Sequence, residues 1–255
     1  MSMTLQDMTT VATLSRNLYS AGKTTTDPLA KVLDTASKRI SDQVSQNDVQ
    51  LSSFGQIKSG FASLQSTGSA LTTLAKDASS SDVSKAAQNF VNAFNTASSA
   101  VSTAINGTGS TPGALANDQL ARLSGNDLRR VLTSSGGPAE LQKIGISVGQ
   151  NGSLSLDTKA LAQALAANPD AVKGTLAKLG QQASTTATND LSSSGAVGAS
   201  VNTLNNRAKN LASAQAQQQG LAASAQTAIQ QSADQITGFG SFSSGIAAYM
   251  KMFSL

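Results

Sequence analysis

The chain has no cysteine, no histidine and no tryptophan among its 255 residues. Without cysteine there is no disulfide framework, no thiolate metal site and no thiol nucleophile. Without histidine it lacks the commonest metal ligand and the side chain that ordinarily titrates near neutrality. Charged residues make up 13% of the chain and aromatics 4%, so any core must be thin and rich in alanine. The 14 acidic residues do not cluster and no glycine-rich phosphate loop is present. Nothing nominates catalytic, cofactor-binding or metal-ligating residues, and the chain reads as a non-enzyme that needs no cofactor. The 18 lysines and arginines give a net charge of +4, but they are scattered. No basic face is interleaved with aromatics, which argues against nucleic acid as a partner. No apolar run approaches the roughly 18 residues that span a bilayer, so membrane insertion is not expected. No cationic segment leads into a continuous apolar stretch, so no cleavable secretory signal is visible. By these signals alone the chain is cytosolic.

What is present is organised around Pro28–Lys76. Leu29, Leu33, Ile40, Val44, Leu51, Phe54, Ile57, Phe61, Leu64, Leu71 and Leu74 follow one another mostly at gaps of three, four or seven. That spacing sets one stripe along a helix with a period near 3.5. Asp27 and Pro28 supply an N-cap and a first helical residue. Unbroken, the helix would run roughly 70 Å at about 1.5 Å per residue, and a rod of that length needs a long partner. Ala36, Gly55 and Gly68 fall at seam positions. The partner expected for it is residues 200–236, where Val201, Leu204, Ala208, Leu211, Gln218, Leu221, Ala225, Ile229 and Ile236 mark a second, Ala- and Gln-rich stripe. Its bland alternative is a solvated, disordered stretch.

Between the two helices lies a smaller set of elements. A polar linker, Asp77 to Asp82, precedes a helix with Ala87, Phe90, Val91, Phe94, Ala97, Val101 and Ile105 on one face, which stops at Asn106-Gly107. Leu115, Leu120, Leu123, Leu128, Val131 and Leu132 indicate one or two shorter helices ending near Thr133. Ile144, Ile146 and Val148, then Leu154 and Leu156, alternate on either side of Asn151-Gly152, the signature of a hairpin. Asp157 and Asn168-Pro169 cap two further helices carrying Leu161 and Leu165, then Val172, Leu176 and Leu179. Residues 180–199 turn Ser/Thr/Gly-rich, with few large apolar side chains.

The two ends carry apolar stripes of their own. In residues 1–27, Leu5, Met8, Val11, Leu14 and Leu18 stand at helical spacing without caps. In the last residues, Phe239, Phe242, Ile246, Tyr249 and Phe253 step by 3, 4, 3 and 4. A face of this kind in a soluble monomer must fold back, meet a membrane or meet another subunit. Lys251 is the only charge on its polar side, which is thin electrostatic support for a membrane-surface helix.

Four stretches together resemble the bacterial flagellar filament-capping proteins, the hook-associated protein 2 family. They are Leu51-Ser-Ser-Phe-Gly-Gln-Ile-Lys-Ser-Gly-Phe-Ala-Ser-Leu64, Phe90-Val-Asn-Ala-Phe-Asn95, Gly113-Ala-Leu-Ala-Asn-Asp118 leading to Leu128-Arg-Arg-Val-Leu132, and the Ile-Gly-Ile to Leu-Ser-Leu-Asp157 hairpin with Ala-Asn-Pro-Asp-Ala-Val172 after it. The likeness covers roughly 28–179. The family's N-terminal Gly-Ser-Gly-Leu-Asp stretch is not present. Residues 77–83 stand where the family usually inserts large β-rich middle domains, so the chain looks like a reduced form. For residues 28–76 length favours an intramolecular antiparallel coiled coil over an ordinary bundle helix, and with the resemblance the expected fold is mainly α: a long antiparallel helical coiled-coil rod with a small helical head carrying one β-hairpin. The expected organisation is an N-terminal segment 1–27 disordered when free, a first rod helix 28–76, a head 84–180, a return helix 200–236 and an apolar assembly segment 237–255.

The resemblance further implies an extracellular structural protein of the flagellum, exported without a cleaved signal peptide. Such a protein oligomerises at the filament tip, retains flagellin and guides its polymerisation. The implied partners are copies of itself, flagellin, hook–filament junction proteins and the export apparatus. The subunit contacts are expected at Leu5, Met8, Val11, Phe239, Phe242, Ile246, Tyr249 and Phe253. The competing reading is an intracellular export chaperone or adaptor that presents the apolar tail to another secreted protein.

Overall fold

The computed structural model describes residues 28–74 and 78–252. The elements are α1 (Pro28–Thr72), α2 (Ser80–Asn106), α3 (Gln119–Ser134), α4 (Pro138–Lys143), β1 (Ile146–Val148), β2 (Leu154–Leu156), α5 (Thr158–Ala167), α6 (Pro169–Leu191) and α7 (Ala196–Met252). The fold is mainly α, as expected, with two long helices and one antiparallel two-stranded sheet. The contacts divide the described residues into two compact units, one within residues 44–210 and one of residues 28–43 with residues 211–252.

The unit of residues 44–210 is a helical bundle around one large cluster. From α1 it buries Phe54, Ile57, Phe61, Leu64 and Leu71, the expected stripe. α2 contributes Val83, Ala87, Phe90, Val91, Phe94, Ala97 and Val101, with the two phenylalanine rings 6.3 Å apart and tilted. The start of α7 adds Val197 and Leu204, so both long helices share this core.

The glycines on α1 show how the helices approach. Gly55 proves exposed, with open space where a side chain would go. The close approaches are at Gly60, where a Cβ would lie 2.7 Å from the Ala97 Cα of α2, and at Gly68, where it would lie 2.7 Å from the Gly180 carbonyl of α6. Beside the second contact, Gln65 Nε2 donates to Thr188 Oγ1 at 2.8 Å and the Ser69 and Ser184 hydroxyls are 3.0 Å apart. Residue numbers rise on α1 as they fall on α6, so these two helices run antiparallel. Sequence reasoning had offered α1 only the return helix; within this unit its small residues also seat it against α2 and α6.

Helix ends follow local chemistry. α1 stops at Thr72, short of Lys76; the Thr72 and Thr73 hydroxyls both donate to the Ser69 carbonyl and so take an acceptor of the last turn. α2 begins inside the stretch read as a linker, because Ser79 accepts from the Asp82 N–H and its hydroxyl donates to the Asp82 carboxylate. Asp118, Asp157 and Asn168 cap α3, α5 and α6. α4, opened by Pro138, was not expected. α6 continues to Leu191, past the last leucine of its sequence pattern. Its inward face is carried on by Gly180, Ala183 and Ala187, too small to announce themselves.

In the second unit, residues 28–43 of α1 keep company with residues 211–252 of α7. Gln218 Nε2 donates to the Leu33 carbonyl at 2.7 Å. Leu33, Ala36 and Ile40 are half-buried, as are Ala214, Gln218 and Ala225. Leu211 is the one residue buried among those whose exposure is described. Leu221, expected on the stripe, is 64% exposed. At about 100° per residue it stands roughly 80° away from the line of Leu211.

Candidate assembly surface

The motif residues that carry the family resemblance turn out to be tied to one another. Asn95, the last residue of Phe90-Val-Asn-Ala-Phe-Asn95, reaches from α2 to the outer edge of β2. Its Nδ2 donates to the Leu154 carbonyl at 2.8 Å and its Oδ1 accepts from the Leu154 N–H at 2.7 Å. One amide side chain thus pairs both outward-facing backbone groups of Leu154 on the free edge of the strand. β1 pairs with β2 in the register Ile146 to Leu156 and Val148 to Leu154. At the tip, Asn151 Oδ1 accepts from the Ser153 N–H and Gly152 takes a positive φ of 78°.

The hairpin's other end is equally fixed. Gly145 has φ 79°, and a Cβ there would lie 2.7 Å from the Asp157 carbonyl. Its own carbonyl accepts from the Asp157 N–H at 2.8 Å. Asp157 in turn caps α5 through the Lys159 and Ala160 N–H groups. In the Gly113-Ala-Leu-Ala-Asn-Asp118 stretch, Leu115 is buried and its N–H donates to the Ala104 carbonyl, while Gly113 lies so close to that carbonyl that any side chain would collide with it. These residues are scaffold.

Groups that could do chemistry are correspondingly few. Among the described residues no three His, Cys, Asp or Glu side chains come together as a metal site would require. No described helix is long and apolar enough to cross a membrane. The open cleft of about 360 Å³ beside α1 and α2 has Asp82 and Lys85 as its charged lining. Asp190, near the end of α6, is the ionisable side chain whose environment stands out: burial first, then the nearby Asp127 carboxylate, push its pKa up to about 6. Asn47, at a seam position of α1, is fully buried with neither amide atom hydrogen-bonded. Asn47 falls on the step between Val44 and Leu51, and Asp190 on the step after Ala187, but both are polar, so a reading of apolar residues passes over them.

The sequence-predicted contact residues fall at the chain ends. Leu5, Met8, Val11 and Phe253 lie outside the described residues. Phe239, Phe242, Ile246 and Tyr249 fall within α7, at successive steps of three, four and three along that helix. Elsewhere, apolar side chains stand exposed at Val32 and Leu221 in the helix-pair unit and at Val49, Leu120 and Leu123 in the bundle. Of these, Leu120 and Leu123 are among the apolar residues that mark α3 in the sequence, yet they do not form its inward face. On α3 that role belongs to Ala121, Ser124, Leu128, Val131 and Leu132.

Comparison with known proteins bears on the same elements. No curated protein and no solved structure matches the chain. The family model of the flagellar hook-associated protein 2 C-terminus matches residues 62–239, from the buried end of α1 through the hairpin and into α7. The match covers well over half of the sequence and contains the Asn95 clamp, the hairpin and the Gly68–Gly180 contact. The chain belongs to the flagellar hook-associated protein 2 C-terminus family.

Proposed function

We propose that the chain is a non-enzymatic structural subunit of the flagellum that assembles with copies of itself at the filament tip, retains flagellin and guides its polymerisation. The observation that carries this reading is the family match over residues 62–239. The physical character of the molecule supports it. The motif residues are used to hold a bundle together, and no described cluster nominates a reaction. The apolar residues at α7 positions 239, 242, 246 and 249 supply subunit contacts, together with Leu5, Met8, Val11 and Phe253. Such contacts act through shape and the removal of apolar surface from water. The partners are copies of itself, flagellin, the proteins of the hook–filament junction and the export apparatus that delivers the chain outside the cell.

Deleting the gene and scoring filament length and monomeric flagellin in the medium tests the proposal. Short or missing filaments with flagellin shed as monomer are expected, restored by the intact gene. Filaments of normal length with normal retention would overturn it. Recovery of the chain only from the cytoplasm, and never from sheared filaments or medium, would favour an export chaperone instead.

A further inference from the structure

One polar side chain is taken wholly into the seam of α1. Asn47 stands between Val44 and Leu51, at steps of three and four along the stripe that α1 turns inward. It is 0% exposed, and neither its Nδ2 nor its Oδ1 has a hydrogen-bond partner. The other buried uncharged polar side chains among the described residues all bond. The hydroxyls of Ser124, Ser135 and Ser200 donate to the carbonyls of Leu120, Leu132 and Ala196. Amides that reach across the fold bond as well, Asn95 to Leu154 and Gln218 to Leu33. Asn47 loses its hydration without a replacement, and a buried amide in that condition opposes folding.

Its place makes the cost count. Among residues 31–53 of α1, Asn47 is the one buried side chain. Val44 and Leu51 beside it are half-buried, and the run of buried apolar residues begins only at Phe54. The position that would anchor this stretch, if it held a leucine, is the one that resists its closure. Neither shape nor propensity calls for asparagine here. Leucine has the same forked outline, and it is the better helix former of the two.

We propose that Asn47 is a release point built into α1: residues 44–51 part from the elements that cover them more readily than the helix from Phe54 onward, because parting returns the amide to water. In the closed state the half-buried sides of Val44 and Leu51 hold the stretch down and the amide works against them. In the open state Asn47 is hydrated and those two side chains are bared. The device is a property of the fold and does not depend on the functional reading above.

Native-state hydrogen exchange on the full chain tests it, wild type beside Asn47→Leu and Asn47→Ala. In the wild type the amides of residues 44–51 should exchange through an opening that leaves those of residues 57–71 protected. Asn47→Leu removes the unpaired amide and keeps its outline, so exchange at 44–51 should slow by roughly ten- to a hundredfold. Asn47→Ala should exchange there no faster than wild type, since no hydrogen bond is lost. Equal protection of 44–51 and 57–71 in the wild type would overturn the proposal, as would unchanged or faster exchange at 44–51 in Asn47→Leu. Should Asn47→Leu not fold, Asn47→Ala decides: faster exchange at 44–51 would mean that the amide holds this stretch closed, and the release point would be wrong.

Discussion

The two units are built from the same two long helices and differ in what fills the space beside them. Between residues 44 and 210, α1 buries two phenylalanines completely and meets two more from α2. Between residues 31 and 43 the same helix buries nothing completely, and α7 answers it with alanine and glutamine around a single Leu211. Periodicity is equally regular in both. A helix of this length draws its stability from the apolar area it shares with neighbours and little from propensity. One unit is therefore a core in its own right, and the other is a pair of helices with apolar positions such as Val32 and Leu221 left facing solvent.

That difference can be tested residue by residue. The largest loss is expected at Phe61→Ala, where a fully buried ring leaves a cavity that helices pinned at Gly60 and Gly68 cannot close. Denaturant titration should show about 3–5 kcal/mol of destabilisation. Asn95→Ala comes next. It leaves both backbone groups of Leu154 without their partner, and roughly 2–3 kcal/mol should be lost, with the hairpin amides the first to exchange. Asn95→Asp should restore only the acceptor half of the clamp. Leu33→Ala in the helix pair should cost about 1 kcal/mol or less, because that side chain is only half-buried. Lys38→Ala, which breaks the exposed pair with Asp34, should fall within about 0.5 kcal/mol of wild type. A cost at Leu33 equal to that at Phe61 would erase the distinction between the units.

The same distinction explains what could be read in advance. The hairpin, the caps at Asp157 and Asn168 and the inward stripe of α2 were legible, because turn chemistry and large apolar residues leave local marks. The last three turns of α6 were not, since Ala183 and Ala187 bury their methyl groups without any pattern of large side chains. Asn95 was quoted only as part of a motif, and its job as a strand-edge clamp depends on a partner 59 residues away. At about 100° per residue Gly55 points away from the Phe54–Ile57–Phe61 stripe and Gly60 lies on its flank, but that Gly60 meets the Ala97 backbone depends on where α2 is placed. Asp190 is hidden for the same reason: its burial is set by α3 and by the turn after α6, neither of which its neighbours in sequence reveal. Family kinship was readable because the scaffold motifs are local. The contact residues at Phe239, Phe242, Ile246 and Tyr249 rest on their helical spacing together with the family resemblance.

Native-state hydrogen exchange on the intact chain tests the central contrast most directly. Amides of the buried stretches of α1, α2 and α6 within residues 44–210 should exchange only through global unfolding, while those of residues 31–43 and 211–228 should exchange through local opening at a much lower free energy. A single common free energy across both sets would contradict the account, because the helix pair would then be as firmly held as the bundle.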